Sequence, residues 1–164
     1  MSMPYIEPLT VREPDERVLP EPPRRGEPGG EPCGICGGAA TEAVWSDDLW
    51  TLHAPVGGSL PGTVWLASRE HFDSFADMPA SQAADFGRVC GKVERAILAQ
   101  GDVARVHLYR WGDGGAHFHV WFVPRPAGML EARGMYLPIW EDVLPNVPDD
   151  ELAAAAKQVA AAIE

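Results

Sequence analysis

Apolar and polar residues follow regular patterns only in the part of the chain that begins near Cys33. Residues 43–53 contain two short strand-like runs around an Asp-Asp pair, which predicts a β-hairpin, and residues 62–68 predict a buried strand. A helix is predicted from Pro79 to the Gln-Gly pair at 100–101, because apolar residues recur there at helical spacing. These residues are Phe86, Val89, Cys90, Val93 and Ile97.

Two further strands are predicted at residues 103–111 and 117–123, joined by a glycine-rich turn. Alternate side chains share a face of a strand, so a turn at residues 113–115 places Trp111 opposite His117 and Tyr109 opposite His119. The same register collects an apolar set on the opposite face of the two strands. This predicted core set is Val106, Leu108, Phe118, Val120 and Phe122.

The first 32 residues differ in composition from the rest of the chain. They hold eight of the 16 prolines, seven acidic residues and four arginines. A segment of this composition has too little apolar surface to bury and cannot fold alone. We therefore predict an extended or flexible arm at residues 1–32 and a single domain at residues 33–164. The alternative for this arm is that it lies across the domain or a partner subunit. Residues 148–164, which begin with proline and acids and continue alanine-rich, predict a terminal helix.

The charge balance limits the classes of partner. Asp and Glu outnumber Lys and Arg by 24 to 13, giving a net charge of −11, so a nucleic acid polymer is not an expected partner. An anionic ligand must then be held by a local site. No apolar run approaches the ~18 residues of a membrane span, and the chain start lacks the pattern of a signal peptide. We expect no membrane association and a cytoplasmic location.

Two of the three cysteines have the spacing of a metal site. Cys33 and Cys36 form a Cys-x-x-Cys pair followed by two glycines, as in a zinc knuckle, whereas Cys90 lies on the apolar stripe of the predicted helix. A redox pair is the competing interpretation, but such a pair normally opens a helix, and the following sequence begins a helix poorly. Two more ligands are needed for a closed site, and spacing alone does not choose among the five histidines. These are His53, His71, His107, His117 and His119.

The most specific pattern is the run of residues 117–125, HFHVWFVPR, in which His117 and His119 share a face of a strand. This run resembles the signature of the histidine-triad (HIT) superfamily of nucleotidyl hydrolases and transferases, His-φ-His-φ-His-φ-φ with φ apolar. Upstream, residues 61–66 (PGTVWL) and 69–71 (REH) are similar to the family's Gly-His-Thr strand and the basic-x-His that follows it. The likeness covers roughly residues 33–125.

The resemblance implies a metal site and a nucleophile. In zinc-containing members, which include small bacterial HIT proteins and galactose-1-phosphate uridylyltransferases, an early Cys-x-x-Cys pair joins two histidines. Carried over to this chain, the ligands of Zn²⁺ are Cys33, Cys36, His71 and His117. Four protein ligands close the coordination sphere, so the zinc is expected to be structural. The resemblance gives the remaining signature histidine, His119, the role of nucleophile toward the α-phosphorus of a nucleotide.

The chain departs from the family pattern at two points. Trp121 stands at the position of the third histidine, and its indole can donate a hydrogen bond but cannot act as an acid. Only Gly-Gly-Ala precedes His117, where hydrolases of the family carry Gln-Ser or Gln-Thr. A late loop that contains Tyr136, Trp140 and Glu141 is a candidate cover of the site. The candidate substrate contacts are Tyr109, Trp111, Trp121 and Arg125.

These interpretations combine into one expectation. The fold class is α+β, a HIT-like fold with a mainly antiparallel sheet of about five strands, one long helix, a C-terminal helix and a zinc knuckle near the start. The resemblance implies a nucleotide hydrolase or nucleotidyltransferase that acts on a small nucleotide through a nucleotidyl-histidine. The alternative is a non-catalytic, zinc-stabilised module that binds nucleotides or other partners. The family commonly forms dimers, so we expect a homodimer.

Overall fold

The computed structural model describes residues 3–5, 9–38 and 42–163, and these form an α+β fold. Five antiparallel strands make one sheet in the order β1-β2-β3-β5-β4, with three helices outside it. This confirms the predicted fold class. The elements are β1 (Ala43–Ser46), β2 (Trp50–His53), β3 (Val64–Ser68), α1 (Ala80–Leu98), β4 (Val103–Tyr109), β5 (His119–Pro126), α2 (Tyr136–Val143) and α3 (Asp149–Ala161).

The predicted hairpin and long helix are present. Between β1 and β2, the Oδ1 atom of Asp47 accepts hydrogen bonds from the backbone N–H groups of Leu49 and Trp50, at 2.9 and 2.8 Å. These bonds satisfy the donors of a tight acidic turn. Helix α1 begins directly after Pro79 and ends before Gly101, whose φ of 108° turns the chain into β4.

Each face of the sheet has its own apolar cluster. The larger cluster lies between the sheet and helices α1 and α3 and includes Trp50, Leu66, Phe118, Val120 and Phe122. The smaller one lies on the opposite face, where Leu137 of α2 packs near Val123 of β5. Residues 136–143 thus form a helix, not the predicted loop, because Leu137 is buried in this second cluster.

The pairing of β4 with β5 differs from the predicted register by two residues. Tyr109 lies opposite Trp121, not opposite His119, and Leu108 lies opposite Phe122. The connection is longer than predicted because residues 110–118 leave the ladder: the Arg110 guanidinium donates to the carbonyl of Asp73 at 2.5 Å. A shift of two preserves the face of every side chain, so four of the five predicted core residues still face the first cluster. The exception is Leu108, which is 47% exposed.

The end of the predicted arm contacts the domain. Arg25 forms an isolated parallel bridge with Gly115, and the Ala116 N–H donates to the carbonyl of Arg25 at 2.8 Å. Residues 1–2 and 6–8 of the arm lie outside the described residues, and the boundary at residue 32 stays a prediction. Within the described part of the chain, every helix is too short or too polar to cross a membrane.

Asp85 of α1 stabilises the largest buried side chain of the core. Its Oδ2 accepts a hydrogen bond from Nε1 of Trp50, which is fully buried, at 3.0 Å. We predict that Asp85→Ala, which leaves the indole N–H without this acceptor, lowers the free energy of unfolding by about 1–3 kcal/mol. Urea unfolding followed by circular dichroism measures this loss, and the exposed Glu94→Ala on the same helix is the control.

The loss of unfolding free energy in Asp85→Ala should also depend on pH. The ion pair with Arg88, and then the bond from Trp50, hold the pKa of the Asp85 carboxyl below its usual value. A carboxyl whose pKa is lower in the folded than in the unfolded protein stabilises the fold at pH values above its unfolded pKa of about 4. This contribution to the free energy of unfolding disappears as the pH falls through the folded-state pKa. The difference between wild type and Asp85→Ala should therefore narrow below about pH 4. A difference that widened in acid would contradict this account.

Candidate metal centre and active site

Strand pairing brings the two ends of the predicted metal site together. Strand β3 ends at Ser68 and β5 begins at His119, and the two are antiparallel neighbours with Ala67 opposite His119. The residues just after β3 and just before β5 therefore meet at one edge of the sheet. In consequence the rings of His71 and His117 lie 5.1 Å apart, nearly perpendicular to each other.

The Cys-x-x-Cys segment forms a tight turn above this edge. The Gly37 N–H donates to the carbonyl of Cys33 at 3.0 Å, and the Cys36 N–H points to the Cys33 sulfur at 3.4 Å. An amide that points at a sulfur stabilises a thiolate, as the glycine-rich knuckle predicts. The turn aims both sulfurs at the two histidines.

The ligand atoms of Cys33, Cys36, His71 and His117 all lie within 4.8 Å of one another. The Cys33 sulfur is 3.3 Å from Nδ1 of His117, and the Cys36 sulfur is 3.3 Å from Nδ1 of His71. With Zn–S near 2.3 Å and Zn–N near 2.1 Å, a tetrahedral ion separates sulfur and nitrogen ligands by about 3.6 Å. The cluster therefore fits a structural zinc ion with four protein ligands. The other three histidines lie outside it.

The protonation states of the histidine and cysteine side chains are also consistent with a bound cation. Nε2 of His117 lies 2.8 Å from the carbonyl oxygen of Ser68, which can only accept, so Nε2 carries the hydrogen and Nδ1 directs a lone pair to the cluster. Burial lowers the pKa of His117 and favours this neutral form. Burial, and then the neighbouring Cys33 sulfur, raise the pKa of the Cys36 thiol. Two adjacent thiolates thus require a positive charge between them.

His119 lies on β5 beside the cluster and outside it. Its Nδ1 is 2.7 Å from the backbone carbonyl oxygen of His117, which again can only accept. Nδ1 therefore carries the hydrogen, and Nε2 is left with the reactive lone pair. The ring lines a cavity of about 190 Å³ that is open to solvent. Its lining residues are Arg25, Cys33, Gly34, Ile35, Trp65, Gly115, His117 and His119.

Outside the Cys-x-x-Cys turn, two lining residues, Trp65 and Arg25, were not identified as site residues from the sequence. Trp65 shares the face of His119, since the pairing of β3 with β5 places it opposite Trp121, and strand parity could have indicated it. Gly115 belongs to the loop before β5, whose role was left open. Arg25 comes from the predicted arm, and no local pattern marks it.

The predicted substrate contacts divide into three groups. Trp111 and Trp121 line a second cavity, on the side of His119 that faces α2. Tyr109 lies behind Trp111, with the ring centroids 4.9 Å apart, and its hydroxyl donates to the carbonyl of Gly134 at 2.9 Å. Arg125 is buried six residues further along β5, roughly 20 Å from His119, and donates to the backbone carbonyls of Pro126 and Met129. It lies outside both cavities.

An ion pair between Arg24 and Asp73 attaches the end of the arm to the domain next to the metal centre. The Arg24 guanidinium donates to the Asp73 carboxylate at 2.6 Å, to the carboxylate of Glu27 and to the carbonyl of Gly112. It holds the pKa of the Asp73 carboxyl below its usual value. Gly26 then passes so close to His71 that a Cβ atom would lie 3.4 Å from that ring, with a φ of 91° that L side chains rarely adopt.

Removal of one ligand tests the metal centre. We predict that the wild type binds about one zinc ion per chain and that Cys36→Ser binds almost none, with a lower Tm, because a three-ligand site holds the ion weakly. Elemental analysis and thermal unfolding measure both effects. The matched control is Cys90→Ala, since Cys90 is half-buried in α1 and burial raises the pKa of its thiol to about 12. Full zinc content in Cys36→Ser would contradict the assignment.

No protein-family model matches the chain, and no curated protein matches it in sequence. Solved structures do match. A HIT-like protein from Bartonella henselae has a TM-score of 0.59 and 14% identity, over 79% of this chain and 92% of that one. A hypothetical histidine triad nucleotide-binding protein from Sulfolobus tokodaii has a TM-score of 0.58 and 16% identity, over 79% and 88%. A zinc-bound histidine triad family protein from Mycobacterium smegmatis has a TM-score of 0.56 and 19% identity, over 79% and 89%. The chain therefore has the fold of the histidine-triad proteins.

Proposed function

We propose that the protein is a nucleotide hydrolase or nucleotidyltransferase of the histidine-triad type, with His119 as its nucleophile. One observation carries this proposal: Nδ1 of His119 is bonded to the His117 carbonyl at 2.7 Å, which leaves the lone pair on Nε2. Two of the structurally similar proteins, a hypothetical histidine triad nucleotide-binding protein and a zinc-bound histidine triad family protein, support this proposal.

The reaction has two displacements. In the first, Nε2 of His119 forms a bond to the α-phosphorus of a small nucleotide, and the bond from phosphorus to the leaving group breaks with its electron pair. In the second, a water molecule or an acceptor phosphate attacks the same phosphorus and the P–N bond breaks. The product is a nucleoside monophosphate or its transfer product. The substrate class is a dinucleoside polyphosphate or another nucleoside phosphate conjugate.

Side chains around His119 supply the binding contacts. Arg25 lines the cavity, and its exposed guanidinium is ion-paired with the carboxylate of Glu31 at 2.7 Å. In a chain of net charge −11, we assign this guanidinium as the local positive charge for a phosphate, which would take the place of Glu31. Trp65 offers an aromatic surface in the same cavity, and the ring of His53 stacks on it with centroids 4.1 Å apart. We assign this surface to the nucleoside.

Trp121 constrains the substrate. The family's third histidine is replaced by an indole, which cannot protonate a leaving group near neutral pH. The leaving group must then depart as a stable anion or take its proton from water. Substrates with good leaving groups, such as phosphate anhydrides and aryl esters, are the ones that this site favours.

The zinc ion has a structural role in this proposal and does not bind the substrate. With four protein ligands it has no open position for substrate, and it fixes His117, whose carbonyl orients His119. The homodimer and the cytoplasmic location stay predictions. For the dimer, we favour β4, one of the two edge strands of the sheet, where Leu108 is exposed.

Substitution of His119 tests the nucleophile. We predict that His119→Ala lowers turnover of a dinucleoside polyphosphate or a nucleoside 5′-monophosphate aryl ester by on the order of a thousandfold or more, with zinc content unchanged. Wild-type enzyme, quenched with denaturant at high pH, where P–N bonds survive, should carry one nucleoside monophosphate by mass spectrometry. His107→Ala, which removes a histidine outside both cavities, is the control.

The same measurements separate the alternative function. Nucleotide binding without turnover and without the adduct would indicate a non-catalytic module. Full activity in His119→Ala would exclude the nucleophile assignment.

A further inference from the structure

The structure has a second cavity next to His119, which we call the side cavity. Its volume is about 250 Å³, and its apolar wall consists mainly of Leu60, Trp111, Trp121, Val123 and Pro138. His119 and Trp121 are alternate residues of β5 on one face, about 7 Å apart along the strand. The Trp65 ring, which borders the first cavity, lies 6.3 Å from the ring of His119 and 6.1 Å from that of Trp121. A substrate can therefore extend from His119 into the side cavity.

A buried hydroxyl in the side cavity has no protein partner. Thr63 is 8% exposed and lines the cavity, and its Oγ1 makes no hydrogen bond to the part of the chain that the structure describes. Buried polar atoms are nearly always bonded, so an unpartnered one beside a cavity points to a missing ligand atom or water. The hydroxyl can both donate to a ligand and accept from it.

The charge of the side cavity is negative. Glu141 of α2 lines it, and its Oε1 accepts a hydrogen bond from the Ser59 N–H at 3.2 Å, which holds the carboxylate at the wall. An adjoining cavity shares Glu141 with it and adds Asp142. Among the described residues that line these two cavities there is no lysine or arginine. A phosphate or carboxylate group is therefore disfavoured, whereas a protonated amine complements the site.

We propose that the side cavity binds the leaving group of the substrate, and that this group is aromatic and carries a protonated amine. This inference rests on the proposed function and adds the substrate class: a nucleoside 5′-monophosphate joined at phosphorus to an amine-bearing aromatic alcohol. Attack by Nε2 of His119 forms the P–N bond and breaks the P–O bond to the aryl group, which leaves as phenolate and takes a proton from water. Water then cleaves the P–N bond. No oxidant or further reactant is needed.

Two matched aryl esters test this proposal with the zinc-loaded protein. The nucleoside 5′-monophosphate esters of 4-(aminomethyl)phenol and 4-(hydroxymethyl)phenol have nearly the same shape, but only the first carries a positive charge. We expect wild type to prefer the amine ester in kcat/KM. In Glu141→Gln, which keeps the acceptor for Ser59, this preference should fall about tenfold, the effect of losing one charge-assisted hydrogen bond. Glu94→Gln on the remote helix α1 should keep it, which excludes a general effect of net charge.

Binding of the free alcohols gives a readout that does not depend on catalysis. By calorimetry, 4-(aminomethyl)phenol should bind wild type more tightly than 4-(hydroxymethyl)phenol does, and Glu141→Gln should remove the difference. Thr63→Val should weaken binding of both alcohols about threefold without lowering Tm, because replacing an unpartnered hydroxyl by a methyl group leaves no donor unsatisfied. A drop in Tm with unchanged binding would show that Thr63 is only structural.

The outcomes separate the two proposals. If the esters are hydrolysed but neither turnover nor binding prefers the amine, the side-cavity proposal is overturned and the proposed function stands. If the amine-bearing alcohol binds through Glu141 but no nucleotide is cleaved, the ligand class of the side cavity stands and the proposed function fails.

Discussion

The metal-ligand cluster and the orientation of the His119 imidazole depend on one residue, His117. Its Nε2–H is held by the carbonyl of Ser68, its Nδ1 faces the two cysteine sulfurs, and its own backbone carbonyl accepts from His119. A change in the position of His117 therefore alters the ligand geometry and the tautomer of His119 together. Because β3 and β5 are paired at this point, the sheet itself fixes the separation between the metal-ligand cluster and the imidazole of His119.

The two faces of the sheet have different roles: one forms the core and the other carries the candidate site. The face that carries Phe118 and Val120 is buried against α1 and α3 and supplies most of the apolar core. The opposite face presents alternate residues of β5 to the cavity beside the Cys-x-x-Cys turn and to α2. Strand alternation alone produces this division, since neighbouring residues of β5 point to opposite sides. The site is thereby built on β5, a strand that pairs with a neighbour on each side.

Local patterns predicted much of this arrangement from the sequence. The hairpin, the long helix, the strand parity and the knuckle were all visible, and the family resemblance supplied His71 and His117 as the remaining ligands. The β4–β5 register was wrong by two residues because contacts made by Arg110 and Gly112, distant in sequence, hold the loop away from the ladder. The helix at residues 136–143 and the place of Arg25 in the cavity were missed for the same reason. Each depends on tertiary contacts that periodicity does not record.

The contacts of Arg24 affect where the chain can be truncated from its N-terminus. Its guanidinium joins the segment after β3, through Asp73, to the loop before β5, through Gly112. A truncated form that starts a few residues before Arg24 keeps this cross-link, and one that starts at Cys33 loses it although every zinc ligand is still present. The end of the proline-rich segment therefore takes part in the contacts that hold these two segments of the domain together.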